Sequence, residues 1–183
     1  MTCRQRQSSF RERRMKKILE IRDGKISPSE EGSIFIYVNP SQQERIEIME
    51  RYGIDEHNLS SALDPDEISR IEFEDDHLVV IFKRPKNYST TDNLLFKVTS
   101  CGAFLFADKL VIIQPEEIQM LEEKHSQKIL TLNDALLRIM YGTIAHFLGH
   151  LKVISMISDS IEQKIEASME TKYMVHLYTL QKS

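Results

Sequence analysis

The chain has 183 residues, of which 41% are hydrophobic and 28% charged, and its formal net charge is −4 at pH 7. This length is sufficient for one domain with its own core, and the composition is ordinary for a globular protein. The first 17 residues carry seven Arg or Lys and one acid, so the remainder has 17 of the 24 basic and 27 of the 28 acidic residues. This acidic remainder argues against nucleic acid as a partner, because phosphate binding needs a positive surface.

Residues 1–14 are polar and basic and show no hydrophobic periodicity. We predict a disordered basic tail over residues 1–15; the alternative is an arm that contacts an anionic membrane surface or a nucleic acid. Cys3 and Cys101 lie far apart and form no CxxC motif, so a reducing compartment is the simplest interpretation. The longest apolar runs have about five residues. Because a bilayer crossing needs about 20 residues, the sequence predicts a soluble fragment.

The first part of the chain predicts two strands and a helix. The strands are Lys16 to Arg22, followed by a turn at 23–25, and Ile34 to Val38. Ser41 and Glu44 then have the spacing of a capping box, so a helix is expected to begin there. Gly53 lies where a left-handed residue would end that helix.

The stretch from Asp55 to Lys83 predicts a short helix and two strands. The helix covers Asp55 to Leu63, with Asp55 as its N-cap, and Asp64-Pro65-Asp66 ends it because a residue before proline disfavours the α conformation. The alternating Ile68, Ile71 and Phe73 predict a strand with one buried face. After a turn at Asp75-Asp76, the continuous apolar run from Leu78 to Phe82 predicts a strand buried on both faces.

The second half predicts the remaining strands and then helices. We expect a strand from Leu94 to Val98, a hairpin formed by 103–107 and 110–113, and a short helix over 116–123. Thr131 or Asn133 is expected to cap a helix of roughly 50 Å. The apolar stripe of that helix steps by three and four, through Leu132, Leu136, Ile139, Met140, Thr143, Ile144, Phe147, Leu148, Leu151, Ile154, Ile157, Ile161 and Ile165. Another helix, with Met174, Leu177 and Leu180, is expected after Ser168.

The predicted fold class is therefore α/β: a mixed β-sheet of six or seven strands sandwiched by helices, followed by long C-terminal stalk-like helices. Residues 16–130 would form the α/β domain and residues 131–183 the long helices.

The order of these segments resembles the cytoplasmic N-terminal domain of the CorA family of divalent-cation transporters. The similarity is carried by Ala62 to Glu67, Arg70-Ile71-Glu72, Glu74-Asp75-Asp76, Leu78 to Phe82 and the helical stretch Ile157 to Glu166. No single short motif is diagnostic. The specificity lies in their order, which extends from about residue 16 to residue 183.

The resemblance implies a regulatory domain that senses cations and gates a Mg²⁺ or Co²⁺ transporter on the cytoplasmic side of the inner membrane. The parent would be a homopentamer, held in the membrane by pore helices that this sequence lacks. The bound ion would be regulatory rather than catalytic: Mg²⁺, with Co²⁺ or Zn²⁺ as alternatives. Two other interpretations stay open, namely the cytoplasmic domain of a Zn²⁺-transporting relative and a helical scaffold unrelated to transport.

The first candidate metal site consists of Asp64, Asp66 and Glu67, within a run of seven acids relieved only by Arg70. Hard divalent cations prefer carboxylate oxygens, and a weak site needs only two acids. Alternatively, these acids only form turns. In better-known family members, an acid of the short helix contributes to a regulatory cation site between subunits. Here that place falls on Ser61, which puts direct transfer of the site in doubt.

The second candidate site is the row Asp159, Glu162 and Glu166, which continues to Glu170 and steps by three and four along the long helix. In an oligomer such a row would become a charged ring that gathers cations; alternatively it is a solvated helix face. His146 and His150 have the spacing of a Zn²⁺ chelate but lack an evident third ligand, so a packing surface is the simpler interpretation. No nucleophile motif, P-loop or dinucleotide fingerprint occurs. We therefore expect neither an enzyme nor a small-molecule substrate.

Overall fold

The structure is a computed structural model that describes residues 15–86, 96–117, 128–168 and 171–182. The predicted basic tail, the start of the strand expected at Leu94, most of the helix expected over 116–123, and Glu170 lie outside the described residues.

A mixed seven-stranded sheet forms the centre of the fold, as predicted. Its strands are β1 (Met15–Arg22), β2 (Lys25–Pro28), β3 (Ile34–Val38), β4 (Arg70–Phe73), β5 (His77–Pro85), β6 (Val98–Phe106) and β7 (Leu110–Gln114). Their order across the sheet is β2-β1-β3-β7-β6-β5-β4. The β3–β7 pair is parallel and the others are antiparallel. The acidic stretch therefore leads into an edge strand, β4.

Four helices are described: α1 (Gln42–Tyr52), α2 (Glu56–Ser61), α3 (Leu132–Ser168) and α4 (Thr171–Gln181). The capping box of α1 is present, and Gly53 ends that helix with a φ of 69°. The Asp55 side chain accepts a hydrogen bond of 2.8 Å from the Asn58 N–H at the start of α2. At the start of α3, the Thr131 hydroxyl accepts a hydrogen bond of 3.1 Å from the Asp134 N–H. The predicted helix starts are confirmed at all three positions.

The sheet has a hydrophobic core on each face. Val80 and Phe82 of β5 join the core that Ala135, Leu136 and Ile139 of α3 complete. Their neighbours Val79 and Ile81 join the opposite core, with residues of α1 and α2 such as Ile48, Tyr52, Leu59 and Ala62. This alternation is what a strand covered on both faces requires, and it confirms the sandwich arrangement.

The prediction that β4 buries the side of the strand that carries Ile71 and Phe73 is wrong. Ile71 and Phe73 are 61% and 86% exposed, while Arg70 and Glu72 are the less exposed side chains of the strand. Ile71 and Phe73 lie opposite Val80 and Leu78, on the α3 face of the sheet. However, the strands on which α3 packs are mainly β5 and β6, so nothing in the described chain covers these two side chains at the edge.

The prediction that the apolar residues of the long helix form a single stripe is also wrong in part. Ile139, Thr143 and Ile161 are buried, but Ile144, Leu148 and Leu151 are more than half exposed. Five residues advance an α-helix by about 140°, so Ile144 cannot share the face of Ile139. Together with Leu137 and Tyr141, these exposed residues form a second apolar face. Among the helices described, none combines the length and apolarity that a bilayer crossing requires.

Candidate cation site at the α2–β4 junction

The acidic turn between α2 and β4 is anchored to the sheet through its backbone. The Ser100 hydroxyl of β6 donates a hydrogen bond to the Asp64 carbonyl, and the Lys83 ammonium of β5 donates to the Pro65 carbonyl. Lys83 also donates to the Ser100 hydroxyl at 3.0 Å. Ser100 is fully buried. The turn therefore has a fixed position at the edge of the sheet.

Asp64 and Asp66, two predicted metal ligands, are both exposed at this turn. One carboxylate oxygen of Asp64 accepts a hydrogen bond of 2.9 Å from the Asp66 N–H. This is the local turn geometry that aspartate favours. Within the described ranges, no group of three or more His, Cys, Asp or Glu could hold a metal ion. A cation at this turn would thus take its remaining ligands from water or from a second chain.

Glu67, the third predicted ligand, is engaged by groups of its own chain. Its Oε2 accepts a hydrogen bond of 2.8 Å from the Ser61 hydroxyl, and its Oε1 accepts one of 3.1 Å from the Ile68 N–H. Oε1 also lies 3.1 Å from Nη1 of Arg70. The Ser61 hydrogen bond above all, with the Ile68 N–H and the Arg70 charge, holds the pKa of Glu67 below its usual range. The carboxylate is therefore ionised and already partnered at neutral pH.

Arg70 is the centre of the polar network at this junction. Its Nε donates to Glu72 Oε1 at 2.7 Å, while Nη2 donates to the Asn58 side-chain oxygen at 2.9 Å and to the Ser61 hydroxyl at 3.1 Å. Its side chain is only 20% exposed. One guanidinium therefore joins α2, the acidic turn and β4.

From the sequence, Arg70 was identified only as the one base among the acids and as part of a motif. The signal that the sequence offered was a single base three residues after Glu67 and two residues before Glu72.

The second predicted group lies on α3. Asp159 and Glu162 are exposed there, and Glu166 follows one turn further along the same helix. Their spacing places them on one side of α3. Among the described side chains, Asp159 and Glu162 do not belong to any group of three or more His, Cys, Asp or Glu that could hold a metal ion.

The histidine pair on α3 has the character of a packing contact. The rings of His146 and His150 are 4.5 Å apart, and the His150 ring meets Phe96 edge to face at 5.2 Å. Burial lowers the pKa of His150, so this ring is neutral at physiological pH.

Comparisons with known proteins identify the family. A family model described as a CorA-like Mg²⁺ transporter protein matches residues 30–183. The chain belongs to the CorA family. The resemblance seen in the order of sequence segments is thereby confirmed.

Several solved structures share the fold of this family member. The soluble domain of CorA from Methanocaldococcus jannaschii superposes with a TM-score of 0.72 at 20% identity, covering 91% of this chain and 70% of that one. The complete CorA magnesium transporter from the same organism superposes with a TM-score of 0.71 at 16% identity, and the match covers 92% of this chain. The ZntB cytoplasmic domain from Vibrio parahaemolyticus superposes with a TM-score of 0.59 at 11% identity, and the match covers 90% of this chain and 72% of that one.

This CorA family member spans 56% of the length of the complete transporter that it matches. A search by sequence found no matching relative among curated proteins. The structural matches, at 20% identity and below, establish the fold.

Proposed function

We propose that this chain is the cytoplasmic regulatory domain of a CorA-like Mg²⁺ or Co²⁺ transporter, which senses divalent cations and gates the pore. The observation that supports this most directly is the family match over residues 30–183, combined with a fixed turn that presents exposed carboxylates. The parent protein would be a homopentamer of the inner membrane, with the pore in a part of the protein beyond this domain.

Asp64 and Asp66 are the residues that we propose for cation sensing at the turn. Their oxygen ligands suit Mg²⁺, which keeps several of its waters and uses one or two carboxylates. A carboxylate of a neighbouring subunit would complete the site. The second proposed site is the row Asp159, Glu162 and Glu166, in which repetition around an oligomer would concentrate negative charge. Gating then requires only that cations bind the closed assembly more tightly than the open one.

A Zn²⁺-transporting relative is the second candidate, and the structural match to the ZntB cytoplasmic domain favours it. The donor groups favour the first candidate instead. Structural and catalytic Zn²⁺ sites contain Cys or His ligands, in some cases together with a carboxylate. The exposed metal-binding groups of the turn are carboxylates alone.

Thermal unfolding of the metal-stripped chain tests this proposal. A ligand that binds only the folded state stabilises it by RT ln(1 + [L]/Kd). We therefore expect about 10 mM Mg²⁺ to raise Tm by about 2–4 °C at constant ionic strength. Asp64→Asn combined with Asp66→Asn should abolish that rise, because the amides keep the turn but remove its charge. Asp75→Asn, at an exposed acid of the β4–β5 turn, is the matched control and should retain it.

Parallel titrations with Co²⁺ and Zn²⁺ distinguish the two candidates, and sedimentation velocity shows whether the cation drives association. A rise that persists in the double variant, and also in Glu67→Gln with Glu72→Gln, would favour Asp159, Glu162 and Glu166 as the site. The absence of a rise with all three ions, in samples that sedimentation velocity shows to be associated, would contradict cation sensing by this chain. A rise in Tm that occurs only with Zn²⁺, at micromolar concentration, would favour the Zn²⁺-transporting relative.

A further inference from the structure

We infer that the guanidinium of Arg70 is the resident cation of the α2–β4 junction, and that it neutralises Glu67 and Glu72 in place of a divalent metal ion. This inference does not rest on the proposed function, because it concerns contacts within one chain.

The guanidinium of Arg70 lies among two carboxylates and two neutral oxygens. Two carboxylates lie 3.1 Å and 2.7 Å from its nitrogens, and two neutral oxygens, from Asn58 and Ser61, accept from Nη2. Arginine presents its donors in a fixed fork and stays charged at every physiological pH. A metal ion that used Glu67 or Glu72 as a ligand would therefore have to compete with a charge that is covalently tethered in the site.

Ser61 explains why this arrangement is possible. Its hydroxyl donates to Glu67 at 2.8 Å and accepts from Arg70 at 3.1 Å. A carboxylate at position 61 could accept but not donate, so it would oppose Glu67 and leave a pair of like charges. Serine at this position therefore links the Glu67 carboxylate to the Arg70 guanidinium without adding a negative charge.

The burial of these groups supports a structural role. Ser61 and Asn58 are both 2% exposed, so loss of Arg70 would leave buried oxygens and two carboxylates without their counter-charge. Buried polar groups that lose a charged partner destabilise a fold more than exposed ones do. The junction is thus held by protein charge at any concentration of Mg²⁺.

Thermal unfolding of Arg70→Gln with and without about 10 mM Mg²⁺, at constant ionic strength, tests the inference. We expect Tm to fall by about 5 °C without the cation and to recover by about 2–4 °C with it, beyond any rise that Mg²⁺ causes in the unmodified chain. The recovery should disappear when Glu67→Gln and Glu72→Gln are added to that variant. Arg45→Gln is the matched control, since Arg45 donates to the carbonyl of Pro40 rather than to carboxylates. It should show the same response to Mg²⁺ as the unmodified chain.

Ser61→Asp is a second, independent test, and it applies even if Arg70→Gln does not fold. Adding a carboxylate beside Glu67 should lower Tm and create a Mg²⁺-dependent recovery of about 2–4 °C beyond that of the unmodified chain. The inference is overturned if neither variant gains such a response. It is also overturned if Mg²⁺ stabilises the unmodified chain and Glu67→Gln with Glu72→Gln removes that effect. Stabilisation of the unmodified chain that depends on Asp64 and Asp66 would leave the inference intact.

Discussion

The contact between Gly102 and Ala62 offers a direct test of how tightly α2 is held against the sheet. A Cβ added at Gly102 would lie 2.6 Å from the Cβ of Ala62 and 2.9 Å from the ring of Phe104. Carbon atoms in contact are normally about 3.5–4.0 Å apart. Because the Gly102 backbone is not in the left-handed region, this steric overlap is the main penalty. Gly102→Ala should therefore push α2 away from β6 by about 1 Å.

The cost of this change follows from the rigidity of its neighbours. Ala62 is the C-cap of α2 and is fully buried, as is Phe104. Overpacking of such a site typically costs about 1–3 kcal/mol. For a chain of this size, each kcal/mol lowers Tm by about 2–4 °C, so we expect a fall of about 4–8 °C for a cost of about 2 kcal/mol, the middle of that range. The chain contains no Trp, so far-UV circular dichroism during thermal and urea unfolding is the suitable measurement.

The variant Ala62→Gly is the control for this prediction. Alone it should cost about 1 kcal/mol, because glycine disfavours the helical conformation. Combined with Gly102→Ala, it removes the methyl group that the new Cβ would overlap. The double variant should therefore be destabilised by about 1 kcal/mol less than the sum of the two single variants. Strictly additive effects, or a Gly102→Ala protein within about 0.5 kcal/mol of the unmodified chain, would refute the argument.

Two further predictions follow from buried titratable groups. Burial raises the pKa of the Cys101 thiol to about 12, so a Cys3→Ser variant should react with Ellman's reagent about 100-fold more slowly when folded than in guanidinium chloride; equal rates would contradict this. Burial and the hydrogen bond with Tyr52 raise the pKa of Tyr37. The unfolded state therefore loses this proton first, and stability should fall as pH rises above about 10, the ordinary tyrosine pKa. Tyr37→Phe should show a shallower fall between pH 9 and 11 in urea unfolding, and parallel curves would count against the assignment.

Local features of the fold were predictable from the sequence because their causes are local. The capping box of Ser41 and Glu44, the left-handed Gly53 and the N-cap Asp55 depend on backbone groups within three or four residues. The strand over 78–82 was predictable for a related reason, since a continuous apolar run needs cover on both faces. The short, polar strand β2 was missed: its four residues end in proline, which is typical of an edge strand rather than a buried one.

The errors share a non-local cause. Ile71 and Phe73 alternate like core residues, but their burial depends on how far α3 extends across the sheet. Ile144 and Leu148 likewise satisfy steps of three and four while lying on the outer side of α3. Periodicity shows that side chains share a face. Which face is covered depends on the relative positions of α3 and the sheet, and no residue pattern within one element contains that information.

The same limit applies to the acidic stretch, where charge density alone does not separate two kinds of carboxylate. Glu67 and Glu72 are met by Arg70, whereas Asp64, Asp66, Asp159 and Glu162 are exposed. A regulatory cation changes an equilibrium only through the difference in its affinity for two states. Carboxylates with a tethered counter-ion offer little such difference, because their charge is satisfied in both states. The exposed acids would offer such a difference if the chain assembles as we propose, since their mutual repulsion would then depend on the distance between subunits. Cation sensing by this domain would therefore act between chains, on surfaces that remain hydrated and bind weakly, while the α2–β4 junction holds the turn in place.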